Sequence, residues 1–105
     1  MIGNPQKEVP LVELIAPKTV VSGEPFTVSF KSETRLAGRL RLTLGTEELP
    51  FVLDRGDRVE ERAPSHRVRG RQGSFRVLDW GSPPGGTEVV LRFEGAKIWI
   101  TVVDR

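Results

Sequence analysis

Residues 24–44, EPFTVSFKSETRLAGRLRLTL, decide the fold class of this chain. Apolar side chains recur at every second position in the first and the last part of the stretch, at Phe26, Val28, Phe30, Leu40, Leu42 and Leu44. A period of two places successive side chains on opposite faces of a β-strand. The alternation therefore predicts two strands, Glu24–Ser32 and Gly38–Leu44, each with one face in a core.

Similar short runs fill most of the remaining chain. They cover residues 11–16, 48–53, 58–62, 67–69, 74–80, 87–94 and 97–103, and turn signals such as Ser82-Pro-Pro-Gly-Gly86 separate them. Pro50 lacks a backbone donor, which favours an edge strand there. Short strands at a spacing of about 8–12 residues are typical of an all-β immunoglobulin-like sandwich of about seven strands. A small open barrel of the OB or SH3 type is the alternative fold.

Residues 16–30, APKTVVSGEPFTVSF, carry a family resemblance. The phrase resembles the crossover between the first two strands of bacterial immunoglobulin-like and filamin-type modules. The resemblance implies a β-sandwich and no particular function. The Cys…Trp…Cys core of antibody domains is missing, because the chain contains no cysteine.

The 105 residues suffice for one domain, which we place at residues 11–105 after an extended tail or linker at residues 1–10. Sixteen basic and 14 acidic side chains leave a net charge of only +2, so a basic function requires local clustering. The arginine-rich, cysteine-free composition is typical of a thermophile. No apolar run is long enough for a membrane span. The compartment is the cytoplasm if Met1 is native, and the envelope or extracellular space if a leader was removed.

The densest positive charge lies at residues 62–76, where five arginines and His66 occur without an acidic residue. Arg67, Arg69 and Arg71 have the spacing of one strand face. Gly70-Arg-Gln-Gly73 predicts the turn of a hairpin, so the stretch is interpreted as a basic hairpin. Its acidic counterparts are at residues 54–61, and whether they neutralise these arginines stays open at this point.

Two binding hypotheses use this stretch or the two tryptophans. A nucleic-acid-binding domain would hold phosphates with arginines and stack bases on aromatic rings, using Arg67, Arg69, Arg71, Arg76, Phe75 and Trp80. A carbohydrate-binding sandwich would use Trp80 or Trp99 as a sugar platform. Core or capping roles for both tryptophans are the structural alternative.

Enzyme chemistry is not predicted. His66 is the single histidine, tyrosine and cysteine are absent, and the adjacent glutamate pairs point to opposite faces of their strands. No catalytic, metal-binding or cofactor-binding residue is therefore expected.

The main hypothesis is a structural or protein-binding module of a larger assembly, such as an envelope complex, a virion or a fibre. Trp99 is out of phase with Ile98 and Ile100 and should lie on the outer face of the last strand. Trp99, Thr101 and Val103 are accordingly predicted to contact a protein partner or a second copy by edge-strand pairing. The Pro50 edge is a second place for such pairing.

Overall fold

The computed structural model describes residues 12–105, and this part of the chain is all-β, as the alternation predicts. The tail predicted at residues 1–10 lies outside the described residues. The strands are β1 (Val12–Ile15), β2 (Thr19–Val21), β3 (Phe26–Leu44), β4 (Glu47–Glu48), β5 (Phe51–Asp54), β6 (Val59–Ala63), β7 (Ser65–Leu78), β8 (Glu88–Phe93) and β9 (Ala96–Val103).

These strands form one mixed sheet that curls into a half-barrel. Neighbours follow the order β2–β9–β8–β3–β7–β5–β6, and β1 and β4 pair with β3 beside this path. Every pair is antiparallel except β2 with β9. The curl brings β9, which lies beside the end strand β2, close to β1, which pairs with β3 in the middle of the sheet.

The sheet is organised around a long ribbon made of β3 and β7. Both strands pass through a bend, where Lys31 pairs with Gln72 and Leu36 pairs with Gly70. Residues 32–35 of β3 therefore stand opposite the single residue Arg71 of β7. Such a bulge bends a strand and increases its twist. The two strands predicted within residues 24–44 are thus two halves of one strand.

Gly70 marks the bend in β7. Its φ of +117° lies in a region that residues other than glycine rarely adopt. The predicted hairpin turn at residues 70–73 is wrong, because β7 continues through these residues from Ser65 to Leu78. Positive φ fits a glycine bulge as well as it fits a turn, and the sequence signal is the same for both.

The bend changes which residues of β7 point into the core. His66 and Val68 are buried before it, and Val77 is buried after it. Exposed arginines consequently occupy odd positions at Arg67 and Arg69 and an even position at Arg76. Four residues of β3 stand opposite one of β7, and this odd excess of three reverses the alternation of β7, because the side-chain period of a strand is two.

Apolar side chains from both halves of the ribbon and from β5, β8 and β9 fill the concave side of the sheet. Phe30 contacts Phe93 edge-on with a ring-centroid separation of 5.1 Å. Trp80 lies edge-on to Phe26 at 5.5 Å, and its indole N–H donates to the carbonyl of Glu24 at 2.8 Å. The convex side is left for polar and charged residues.

Candidate nucleic-acid interface

Strand pairing brings basic side chains together on the convex face of the sheet. Arg39 of β3 stands directly opposite Arg67 of β7, and Ala37 stands opposite Arg69. Paired residues share a face, so all of these side chains point away from the core. Arg39, Arg67 and Arg69 are exposed.

The same face continues across β8 and β9. Arg41 of β3 pairs with Arg92 of β8, and Arg92 pairs in turn with Lys97 of β9. Four neighbouring strands therefore contribute to one surface, which we call the cationic face. Its six basic residues are Arg39, Arg41, Arg67, Arg69, Arg92 and Lys97.

Like charges directly opposite each other on neighbouring strands destabilise a sheet. Three such pairs occur here, namely Arg39 with Arg67, Arg41 with Arg92, and Arg92 with Lys97. Hydroxyl groups provide part of the compensation. Arg39 donates to Ser65 Oγ at 3.2 Å, and Arg92 Nε donates to Thr43 Oγ1 at 3.1 Å. Neutral acceptors orient the guanidinium groups and leave their charge in place.

Carboxylates supply little counter-charge to this face. Within residues 12–105, its one ion pair joins Arg41 Nε to Glu48 Oε2 at 3.8 Å, and both side chains are about half exposed. Glu94 lies at the rim, with its carboxylate over the Cα of Gly38. An exposed pair at this distance contributes at most about 1 kcal/mol.

The acidic residues at 54–61 that could have neutralised the arginines bind elsewhere. Glu60 accepts two hydrogen bonds from Arg55, at 2.8 and 3.2 Å, and lies 3.6 Å from Arg58. Asp54 lies 3.9 Å from Arg76. Asp57 and Glu61 are exposed. The open question about Arg67 and Arg69 is thereby answered, because none of these carboxylates forms an ion pair with either of them.

Glu60 instead anchors a buried histidine. His66 Nδ1 is 3.1 Å from Glu60 Oε1, and His66 Nε2 donates to the Phe51 carbonyl at 2.7 Å. The hydrogen bonds from Arg55 lower the pKa of Glu60 most, those with His66 lower it further, and desolvation opposes both. This cluster holds β6 against β5 and β7 and thus has a structural role.

Two residues predicted to stack on bases belong to the core. Phe75 is partly buried and lies on the core side of β7, away from the cationic face, with its ring centroid 6.2 Å from that of Phe30 and 5.5 Å from the Arg55 guanidinium. Trp80 is 1% exposed, so its ring has no face free for a base and this prediction is wrong. Trp80 as a sugar platform is wrong for the same reason.

The remaining predicted arginines divide between the bend and the far half of β7. Arg71 is exposed at the bend itself. Arg76 lies beyond it, opposite Thr27, and forms its ion pair with Asp54. The predicted set therefore contributes Arg67 and Arg69 to the cationic face, whereas Arg76 belongs to a different and partly neutralised surface.

The exposed tryptophan of β9 lies on the same convex face. Trp99 pairs with Val90, which pairs in turn with Thr43, and it is 54% exposed. The sequence predicts that Trp99 lies on the outer face of the last strand, because it is out of phase with Ile98 and Ile100. The ammonium group of Lys97 is 5.8 Å from the centroid of its ring.

The predicted edge-strand pairing through Thr101 and Val103 is wrong. The short strand β2 already pairs in parallel with these residues, through Thr19 with Thr101 and Val21 with Val103. Thr101 is half-buried, and Val103 is exposed on its outer side. Among residues 12–105, no strand pairs with the outer side of the start of β9.

Pro50 does not mark an edge either. It precedes β5, which has β6 on one side and β7 on the other. The main path of the described sheet ends at β2 and β6, and β1 and β4 each pair only with β3. The residues of β6, Val59-Glu-Glu-Arg-Ala63, are mainly charged, a composition that discourages pairing with another chain.

Four residues of the cationic face were missed by the sequence prediction: Arg39, Arg41, Arg92 and Lys97. The alternation already placed Arg39 and Arg41 on a polar strand face. What could not be deduced was that β7 and β8 flank this part of β3 and bring their own basic residues beside it. That information lies in the register, which depends on the whole fold.

Two shallow depressions shape the cationic face. A groove of about 430 Å³ is lined by Gly38, Arg39, Arg41, Arg92, Glu94 and Lys97. A hollow of about 240 Å³ adjoins it between Arg39 and Arg67. Both are open to solvent, and basic residues make up half of each lining, with Gly95 and Ala96 completing the groove. This suits an extended polyanion better than a small enclosed ligand.

Comparison with known proteins finds no matching family model, no matching curated protein and no matching solved structure. Among residues 12–105, no group of three histidine, aspartate or glutamate side chains is placed to hold a metal ion. The same residues include no helix with the length and apolar character needed to cross a membrane.

Proposed function

We propose that this chain is a nucleic-acid-binding β-domain that holds the phosphate backbone on its cationic face. The observation that carries the proposal is the register, which sets six basic side chains next to one another on four strands. The whole chain has a net charge of only +2, so six neighbouring basic side chains reflect a local segregation of charge and not an overall excess. The proposed role is binding, without catalysis.

The chemistry of the residues supports phosphate as the ligand. Five of the six are arginines, whose planar guanidinium groups match the oxygens of phosphate through paired hydrogen bonds. Arg39 and Arg67 lie side by side across two strands and flank one hollow. A phosphate between them would replace their mutual repulsion with two attractive contacts.

The cost of the arrangement supports a functional reason for it. Opposite charges at the same positions would stabilise the sheet, and like charges weaken it. Five of the six side chains are exposed, and only Arg92 is half-buried. A bound polyanion supplies the missing counter-charge and recovers the lost stability by linkage.

Salt dependence is the direct test. We expect wild-type protein to bind a labelled single-stranded oligonucleotide at about 50 mM salt and to lose affinity by orders of magnitude at about 200 mM. The Arg39→Gln/Arg67→Gln double variant should bind at least tenfold more weakly. Arg76→Gln is the matched control from the same strand, and its affinity should stay within about twofold of wild type. Equal binding by all three proteins would remove the cationic face as the site.

A second candidate function is protein docking through β9, in a larger assembly or between copies. The specific observation in its favour is the exposure of Trp99 and Val103, 54% and 39%, on one strand. It predicts self-association with rising concentration in analytical ultracentrifugation, abolished by Trp99→Ala. A monomer at all concentrations would exclude contact between copies.

We also propose kinship with the immunoglobulin-like sandwich. The order of one layer in that fold, A-B-E-D, corresponds to β1, the first half of β3, the second half of β7, and β5. The order C-F-G corresponds to the second half of β3, β8 and β9. The two layers here are joined because β3 runs through both, which also keeps an open barrel in consideration.

A further inference from the structure

We infer that the cationic face selects single strands and that Trp99 is the platform on which one base stacks. This inference rests on the proposed function and names the substrate class. In a duplex the faces of the bases are covered by their neighbours, whereas a single strand can present them to an aromatic ring. A stacking ring beside a phosphate-binding surface therefore distinguishes the two forms.

Trp99 is placed where the end of a strand held on the cationic face would reach it. It pairs with Val90, one step along the sheet from the pair of Arg92 with Lys97. A diagonal neighbour of this kind lies about 7–8 Å away, within reach of long side chains. Base and phosphate contacts can thus be made by one nucleotide.

Trp99 is the one exposed aromatic side chain among residues 12–105. The other tryptophan is buried, and the phenylalanines are buried or partly buried. An exposed indole offers a face on which a base can stack, and a neighbouring cation adds electrostatic attraction for the nucleotide. Lys97, 5.8 Å from the ring centroid, supplies that cation.

An open hollow adjoins the indole at the edge of β9. It has a volume of about 520 Å³ and is lined mainly by Ala16, Pro17, Lys18, Ile98, Trp99 and Thr101. Apolar walls suit the face of a base, and Lys18 adds a second positive charge beside Lys97. A base stacked on Trp99 would have its edge in this hollow.

Backbone groups of β9 face the same hollow. The backbone N–H of Thr101 donates to the Lys18 carbonyl at 2.9 Å, so the backbone groups of Thr101 point toward the segment that contains Lys18. Residues two apart on a strand direct their N–H and C=O groups to the same side, so those of Lys97 and Trp99 point there too. β2 begins only at Thr19, and within the described sheet no strand pairs with this part of β9. Within residues 12–105 these groups have no strand partner, and we infer that they hydrogen-bond the edge of a base.

Tryptophan fluorescence tests the inference. The probes are a DNA strand of about 12 nucleotides, its duplex with the complement, and inorganic polyphosphate. We expect the single strand to quench the emission of Trp99, with buried Trp80 as a constant background, and the other two probes to leave it largely unquenched. The single strand should also bind at least tenfold more tightly than the duplex at equal salt.

Variants at Trp99 separate this inference from the proposed function. Trp99→Ala should weaken single-strand binding about tenfold, leave duplex binding within about twofold, and be rescued largely by Trp99→Phe. Full single-strand affinity in Trp99→Ala, with binding still lost in Arg39→Gln/Arg67→Gln, would overturn the inference and leave the proposed function standing. Absence of salt-sensitive binding to any of the three probes would overturn both.

Discussion

Both halves of β7 carry exposed arginines, but these arginines have different electrostatic surroundings. In the half before the bend, Arg67 lies opposite Arg39, and Arg67 and Arg69 form no ion pair with any described carboxylate. In the half after it, Arg76 lies opposite Thr27 and 3.9 Å from Asp54. A basic run in a sequence therefore need not form one surface, because the residues on neighbouring strands determine which of its charges form ion pairs.

The aromatic residues divide in the same way. Phe75 and Trp80, which follow the bend, pack inside, whereas Trp99 lies exposed on the face that carries Arg67. The second half of β7 therefore belongs to the structural part of the molecule. The first half belongs to the candidate binding surface.

Replacing the tryptophan that follows β7 should have the largest effect on stability. Trp80→Ala removes a fully buried ring and its hydrogen bond to the Glu24 carbonyl, and should cost about 3–5 kcal/mol of unfolding free energy. Trp99→Ala is the matched control, expected within about 0.5 kcal/mol of wild type. Chemical denaturation followed by circular dichroism measures both. Similar losses in the two variants would contradict the assignment of one ring to the core and the other to the surface.

Glu60 should have an intermediate and pH-dependent effect. Its folded pKa lies below its usual value of 4.5, chiefly because of the hydrogen bonds from Arg55. A lowered pKa stabilises the fold above about pH 4.5, and this contribution is lost as the pH falls through the folded pKa. Glu60→Gln should therefore be less stable than wild type at neutral pH.

The difference between wild type and Glu60→Gln should shrink as the pH falls through the folded pKa of Glu60, because the protonated carboxyl is neutral like the amide of glutamine. Urea unfolding at several pH values measures it, and Glu61→Gln on the same strand is the control, expected to show almost no difference. A gap that stays constant with pH would mean that Glu60 acts through packing and not through its charge.

The strands could be predicted from the sequence because alternation is local. Phe26, Val28 and Phe30 fix one face of the first half of β3, and Leu40 and Leu42 fix one face of the second half. The continuity of β3 through residues 32–35 could not be predicted, because a polar stretch between two alternating runs is equally typical of a loop. At Gly70 the sequence predicts a turn where the structure has a bulge, because glycine is typical of both.

The candidate site depends on information that one strand does not contain. Arg67 and Arg69 were predicted from their spacing, but their neighbours Arg39 and Arg41 become part of the site only through the register. Phe75 and Trp80 were chosen because they are close to the arginines in sequence. Phe75 turns inward because the bend reverses the alternation between Arg67 and Arg76. Trp80 lies beyond the end of β7 and is buried against Phe26, a contact that the strand pattern does not reveal.

The most direct test combines affinity and stability in the Arg39→Gln/Arg67→Gln variant. Its single-strand affinity should fall at least tenfold, and the magnitude of its salt slope, log K against log salt, should decrease by about 1.4 for two lost phosphate contacts. Its unfolding free energy should stay unchanged or rise by a few tenths of a kcal/mol, because a like-charged pair is removed. A less stable variant that binds as tightly as wild type, with the same slope, would contradict the central claim.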